Sequence, residues 1–329
     1  MSEKNKGLLS KLVFKLTNKP SIKTDSIDPN KKFPNGEKGG LIISADFEMA
    51  WAWRYTKTGE NYLHKGKMER ENFPEIIRIL EKYNIPITFA TVGHLFLEQC
   101  NSGYHDWMRR IPHFNDHWKF TEGDWYDHDP HSNYKEAPEW YAPDLIQMII
   151  DSKVEHEIGS HTFSHIDFSY KNCPPGVAED EMKACIDAAK PYGADLKSMV
   201  FPGGTWGNIE VLKKYGIQIY RQNIDYDLAY PFRDEHGLLV TPSSGSLEYN
   251  QNYQWTPEYY VIRLKKYLDK AVQIGTIALS CLHPSLNPYI LENVFPPFLH
   301  YADRLREKGD LWVGTMREIS EYINQNNIV

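Results

Sequence analysis

The chain of 329 residues is 41% hydrophobic and 25% charged, the make-up of an ordinary globular protein with ample material for a core. A formal charge of −7 and a pI near 6.0 exclude the basic surface expected of a nucleic-acid binder. No apolar run approaches the roughly 18 residues of a membrane-spanning helix. The four cysteines (Cys100, Cys173, Cys185, Cys281) have neither CxxC spacing nor the density of a disulfide framework, so they read as reduced structural thiols.

Residues 1–19 stand apart. Leu8, Leu9, Leu12, Val13 and Leu16 form one helical stripe flanked by Lys4, Lys6, Lys11, Lys15 and Lys19. Such a helix can rest on an anionic membrane, giving an expectation of peripheral membrane contact through residues 7–16. A helix packed on the domain's own surface, or a frayed terminus, is the other reading. Lys11 and Lys15 interrupt any signal-peptide core, so the expected location is cytoplasmic, with the inner membrane face as an extension. Residues 20–38, rich in Lys, Pro, Asn and Gly, are expected to be a linker.

Short apolar strands alternate with amphipathic helices over residues 39–329. Strands are expected at Leu41–Ala45, Ile85–Val92, Val154–Ile158, Ser198–Phe201, Ile217–Tyr220, Thr276–Leu282 and Leu311–Val313. A helix is expected to open at Asn72, with Glu75 completing a capping box and Phe73, Ile76, Ile77 and Leu80 as its stripe. Further helices fit around Pro143–Asp151, Ala178–Lys190, Asn208–Tyr215, Tyr259–Gln273, Pro297–Glu307 and Met316–Ile323. This alternation predicts a parallel α/β fold. Asp46, Glu48, His161, Pro202-Gly203-Gly204, Arg221 and His283 all fall at or just beyond strand C-termini, the arrangement of a (β/α) barrel mouth. The expected fold is therefore a distorted (β/α) barrel of about seven strands in one catalytic domain.

The long connection 99–142 holds Trp107, Trp118, Trp125, Trp140, His113, His117, His128 and His131. It reads as a wall of the cleft, with Trp125 and Trp140 as substrate contacts. No ligand spacing stands out among its histidines. With 9 Trp and 21 Tyr, the aromatic content leans towards carbohydrate.

His161-Thr162-Phe163-Ser164-His165 is the most informative segment. On a helical turn its two imidazoles would lie roughly 5–6 Å apart at Cβ, close enough to share a divalent ion. Asp46-Phe47-Glu48 supplies carboxylates at another strand end. The two acids are expected to face the mouth together only if the chain leaves the strand in a turn there. Glu48, longer by one methylene, would then reach the metal and leave Asp46 as base, although Asp46 is itself an alternative ligand.

The chain resembles the polysaccharide deacetylases of carbohydrate esterase family 4, whose motifs appear in order over nearly all of residues 39–329. His161–His165 is similar to the family's H-[ST]-x-x-H metal motif, Ser44–Glu48 to its opening motif in a D-x-E form, Pro86–Gly93 to the following strand, and Leu282-His283 to the late L-x-H motif. Two departures stand out. Phe47 occupies the place of the family's usual metal-binding aspartate, and Val200–Gly204 lacks the third motif's arginine, which in the family helps to orient the catalytic carboxylate. Arg221 and Arg54 are the candidates to replace it.

The resemblance implies a hydrolase that removes N-acetyl from an amino sugar of a polysaccharide or glycan precursor. His161, His165 and one carboxylate would hold Zn²⁺ or another divalent metal. Asp46 would be the general base and His283 the general acid. Gly203 and Gly204 would offer backbone N–H groups to the oxyanion, with Arg221 nearby. The competing readings are a deformylase or other C–N amide hydrolase on the same fold, and a metal-free carbohydrate-binding pseudoenzyme.

Overall fold

The computed structural model describes residues 20–54, 61–101, 103–110, 129–247 and 256–329. The basic stripe at residues 7–16 and Trp125 lie outside them. Eight parallel strands carry the architecture: β1 (Gly39–Phe47), β2 (Thr88–Thr91), β3 (Glu157–Ser160), β4 (Ser198–Val200), β5 (Ile219–Gln222), β6 (Leu239–Pro242), β7 (Ile277–Leu282) and β8 (Leu311–Val313). Hydrogen bonding orders seven of them β7-β1-β2-β3-β4-β5-β6, while β8 pairs with the first residues of β1. Among the described residues the α-helices are α1 (Tyr62–Tyr83), α2 (Pro143–Ile150), α3 (Pro175–Ala189), α4 (Ile209–Lys214), α5 (Pro257–Ile274), α6 (Pro288–Asn293), α7 (Phe295–Glu307) and α8 (Met316–Gln325).

The sheet is curled into the expected (β/α) barrel form, and Leu228–Ala229 lies against both β6 and β7. All nine residues of β1 are buried, as a central parallel strand covered on both faces requires. Leu41, Ile43, Ala45 and Phe47 face one core cluster, while Ile42 belongs to a second with Ile219, Leu239, Ile277 and Leu279. Each such side chain removed from water contributes about 1.5–3 kcal/mol. Gly159 in β3 admits β4 closely, since a Cβ there would stand 2.3 Å from Ser198 Oγ. No helix among the described residues is long and apolar enough to cross a membrane.

Three expectations change. Residues 20–38 are no linker: Ile22–Lys23 pairs with Leu228–Ala229, Phe33 is buried, and Lys32 Nζ donates to the Gly275 carbonyl at 2.9 Å. β6 was not expected. Its sequence, Leu239-Val240-Thr241-Pro242, is short and ends in proline, but pairing to β5 overrides that weak signal.

Asn72 is the third. The helix starts ten residues earlier, at Tyr62, where the Asn61 side chain accepts from the Leu63 and His64 N–H groups. Asn72 therefore sits within α1, on its buried face, and its Nδ2 donates to the carbonyls of Pro284 at 2.9 Å and Leu286 at 2.8 Å. It clamps the loop that follows β7. Asn72→Ala would leave two buried carbonyls unpaired and should cost about 1–3 kcal/mol in chemical denaturation. A variant as stable as the wild type would show that the loop is held by other contacts.

Candidate active site

The carboxylates come from β1. Asp46 and Glu48 are two residues apart on extended chain, so pleat alternation puts both on the barrel-mouth face while Phe47 between them points to the core and packs on Phe73 at 4.7 Å. The strand ends at Phe47 and the chain leaves it in a turn, as expected: Glu48 (φ −137°, ψ −17°) opens the 3-10 turn Met49–Ala52, and Met49 has φ 48°.

The histidine pair is held differently from the helical turn expected. His161–His165 forms an irregular loop after β3, with positive φ at Thr162 (60°) and His165 (52°). A β-branched residue in that region is strained, and the surroundings fix it. The Thr162 and Phe163 carbonyls accept from the Gly93 and His94 N–H groups at 2.8 and 2.9 Å. Glu181 on α3 accepts at Oε2 from the Phe163 and Ser164 N–H groups, both at 2.8 Å, and at Oε1 from Ser164 Oγ. Arg54 Nη2 donates to the Ser164 carbonyl at 2.8 Å, which places Arg54 on the loop.

The result is a compact donor set. Glu48 Oε2 lies 2.9 Å from His161 Nε2 and 3.0 Å from His165 Nε2, and the ligand atoms of all three residues fall within 4.8 Å of one another. His161 Nδ1 faces the Val200 carbonyl at 2.7 Å, which fixes its proton there and turns the Nε2 lone pair into the site. These residues therefore fit a divalent metal with mixed nitrogen and oxygen ligands.

Asp46 stands beside this set, gripped by Arg221. Nη1 donates to Oδ1 at 2.7 Å, Nη2 to Oδ2 at 2.6 Å, and Nη1 also reaches Ser44 Oγ at 2.5 Å. Burial alone would raise the Asp46 carboxyl, but the Arg221 charge, helped by His161 and His283, holds it below its ordinary value. Burial likewise acts against ionised Glu48, and His283, His165 and His161 outweigh it, so its carboxyl lies well below its ordinary value. His283 follows β7, with Nε2 3.0 Å from Glu48 Oε1 and 3.8 Å from Asp46 Oδ2. At 27% side-chain exposure against 9% for Asp46 and 3% for Glu48, His283 marks the open side.

The expected substrate contacts fare differently. Trp140 is a core ring, 3% exposed, edge-on to Trp51 at 5.1 Å, so it does not line the cleft. Gly204 is also excluded as an oxyanion donor, because its N–H donates to the Phe201 carbonyl at 3.0 Å. Gly203, at φ 60° in the same 3-10 turn just after β4, remains the candidate there. The half-buried Trp53 stands 5.8 Å from the His283 ring, an aromatic neighbour of the site among the described residues.

Glu69, on the buried face of α1, was also missed. Its Oε1 accepts from the Glu48 N–H at 3.0 Å. A charged residue in the stripe Gly66, Phe73, Ile76, Ile77, Leu80 was the available signal. Burial, reinforced by the charge of Glu48, pushes its carboxyl well above the ordinary value. A group whose pKa rises on folding contributes stability that is complete below the ordinary carboxylate range and fades as pH rises through the raised value. Glu69→Gln keeps an acceptor without the charge, so wild type should lose thermal stability relative to this variant as pH rises. Glu69→Ala should cost about 1–3 kcal/mol at low pH, where wild type keeps its full stability, by orphaning buried backbone N–H, and the cost should shrink as pH rises. Parallel pH profiles of wild type and Glu69→Gln would overturn the neutral-acid assignment.

Residues 62–220 match the family model for polysaccharide deacetylase. A structure from Mycobacterium smegmatis described as a polysaccharide deacetylase is 16% identical, with 94% of this chain and 96% of that one covered and a TM-score of 0.65. One from Pseudomonas aeruginosa PAO1, described in the same way, is 15% identical, with 95% and 97% covered and a TM-score of 0.61. PuuE allantoinase is 15% identical, with 95% and 96% covered and a TM-score of 0.59. A search of curated proteins gave no match. The family match is thus confined to residues 62–220, just under half of the chain, and the solved structures share its fold over nearly the whole length.

Proposed function

We propose that the protein is a metal-dependent hydrolase that removes the N-acetyl group from an amino sugar of a polysaccharide or glycan precursor. The observation that carries this reading is the convergence, at one barrel mouth, of the donor set Glu48, His161 and His165 with an arginine-held Asp46 and with His283. The family match over residues 62–220 supports deacetylation of glycans as the activity class.

Glu48, His161 and His165 would hold Zn²⁺ or another divalent ion, which when bound would polarise the amide carbonyl and acidify water. Asp46 is the base in this scheme. The bidentate Arg221 occupies one lone pair on each of its oxygens and fixes the plane of the carboxylate, leaving a second lone pair on each to take a proton from water. Arg221 thereby fills the positioning role for which the third motif has no arginine. His283 sits on the open side, within reach of a departing amine, and an imidazolium paired with carboxylates is suited to give that amine its proton. The Gly203 N–H is the donor proposed for the carbonyl oxygen, and Trp53 offers a ring face for a sugar.

The fold shared with PuuE allantoinase keeps a different amide on the same machinery as the second reading. The test is product analysis on metal-loaded protein with N-acetylated and N-formylated amino-sugar oligomers. Acetate release, abolished by chelation and restored by metal, is expected. Asp46→Asn should keep the metal and lose turnover. His283→Ala should keep the metal and lower kcat by roughly 10²–10⁴-fold. Formate release without acetate would favour the deformylase reading, and glycan binding without metal uptake or hydrolysis would favour the pseudoenzyme.

A further inference from the structure

A second convergent donor set lies behind the catalytic loop. His94 comes from the 3-10 turn Gly93–Phe96 that follows β2, Cys100 and His105 from the chain entering the long connection, and Asp129 from its return. One donor atom from each falls within 4.8 Å of the others. Asp129 Oδ2 is the hub, 2.5 Å from His105 Nε2, 3.7 Å from His94 Nε2 and 3.9 Å from Cys100 Sγ. Four ligands around a tetrahedral Zn²⁺ with bonds of about 2.0–2.3 Å stand roughly 3.3–3.8 Å apart, so the cluster has nearly that span.

All four are withdrawn from water: His94 and His105 are 0% exposed, Cys100 2% and Asp129 8%. His94 Nδ1 faces the Trp140 carbonyl at 3.4 Å, which keeps the proton on that nitrogen and turns Nε2 inward. That buried Nε2 has no hydrogen-bond partner. A buried imidazole nitrogen aimed at a carboxylate and a thiol, yet bonded to neither, is what a missing central ion would explain. Two imidazoles, one cysteine sulfur that would give up its proton to the ion and one carboxylate, all buried, suit a structural site rather than a catalytic one.

We propose that His94, Cys100, His105 and Asp129 bind a structural Zn²⁺, separate from the metal of the active site. The ion would tie both ends of the chain between residues 100 and 129 to the exit of β2. A cross-link closing a loop of that length removes substantial freedom from the unfolded chain. It would also buttress the catalytic loop. The His94 N–H donates to the Phe163 carbonyl at 2.9 Å, and the Phe163 ring stands 5.6 Å from both His94 and His105.

Sulfur distinguishes the two sites, because the active-site donors include no cysteine. The test is metal content per chain, together with absorption of full-length protein produced with Co²⁺ in place of zinc. Wild type should hold about two metals per chain and show thiolate-to-cobalt charge transfer in the near ultraviolet. His161→Ala should drop to about one metal and keep that band. Cys100→Ser should lose the band and, if it folds, about one metal. A cobalt-loaded wild type without the band overturns the proposal without recourse to any variant, as does a metal content that falls to zero in His161→Ala. A wild type that holds only one metal, kept with its band in His161→Ala, supports this site and counts against the active-site metal, so the two readings fail separately.

Discussion

Three carboxyl groups, Asp46, Glu48 and Glu69, are buried around the end of β1, and the rest of the mouth is arranged to make that tolerable. An ionised carboxylate taken out of water costs several kcal/mol unless its charge is met. Each acid is met differently. Arg221 grips Asp46 through both oxygens, the imidazoles of His161, His165 and His283 surround Glu48, and Glu69 is driven towards its neutral form by burial and by its neighbour. This division sets two carboxylates of the same type on different paths. The one held by a fixed guanidinium is free of the donor set, whereas the one among imidazoles has lone pairs directed at the point where those rings converge.

The loop carrying the histidines shows how much surrounding structure a small site requires. Left-handed residues at Thr162 and His165 are not stable choices on their own, and the loop holds because its backbone groups are taken up on three sides. Gly93 and His94 bond it from β2, Glu181 from α3 and Arg54 from the turn after β1. Burial pushes the Glu181 carboxyl above its ordinary value, and its hydrogen bonds to Ser164 and Trp107 work against that rise. The groups that place His161 and His165 thus come from segments scattered from Arg54 to Glu181.

His94 joins this support to the second donor cluster. Its backbone holds the histidine loop and its ring faces Asp129, so the two donor sets share one residue. Trp51 packs on the same ring at 4.3 Å and donates through Nε1 to the Trp140 carbonyl, which makes Trp140 part of this support rather than of the cleft.

Much of the fold was legible because burial imposes a period on sequence: the apolar runs of β1 and β7 and the helix stripes between them announce a parallel α/β chain, and the polar residues at strand ends point to a mouth. Asp46, Glu48, His161 and His283 stood out as polar residues at or just beyond strand ends, and His165 through its spacing from His161. What the sequence could not supply was anything carried by contact between distant segments. Arg221 was one of two arginines at strand ends, and only the register of β5 against β4 sets its guanidinium on Asp46 while Arg54 goes to Ser164. Asn72 carries the local pattern of a helix cap, but an apolar stripe that starts earlier makes it a buried clamp on the loop after His283. His94, Cys100, His105 and Asp129 have no ligand spacing because a chain that leaves and returns brings them together. Periodicity and residue type are local properties and survive in one dimension. The pairing of charges and the sharing of a ligand are set by distances across the fold, and only the tertiary structure decides them.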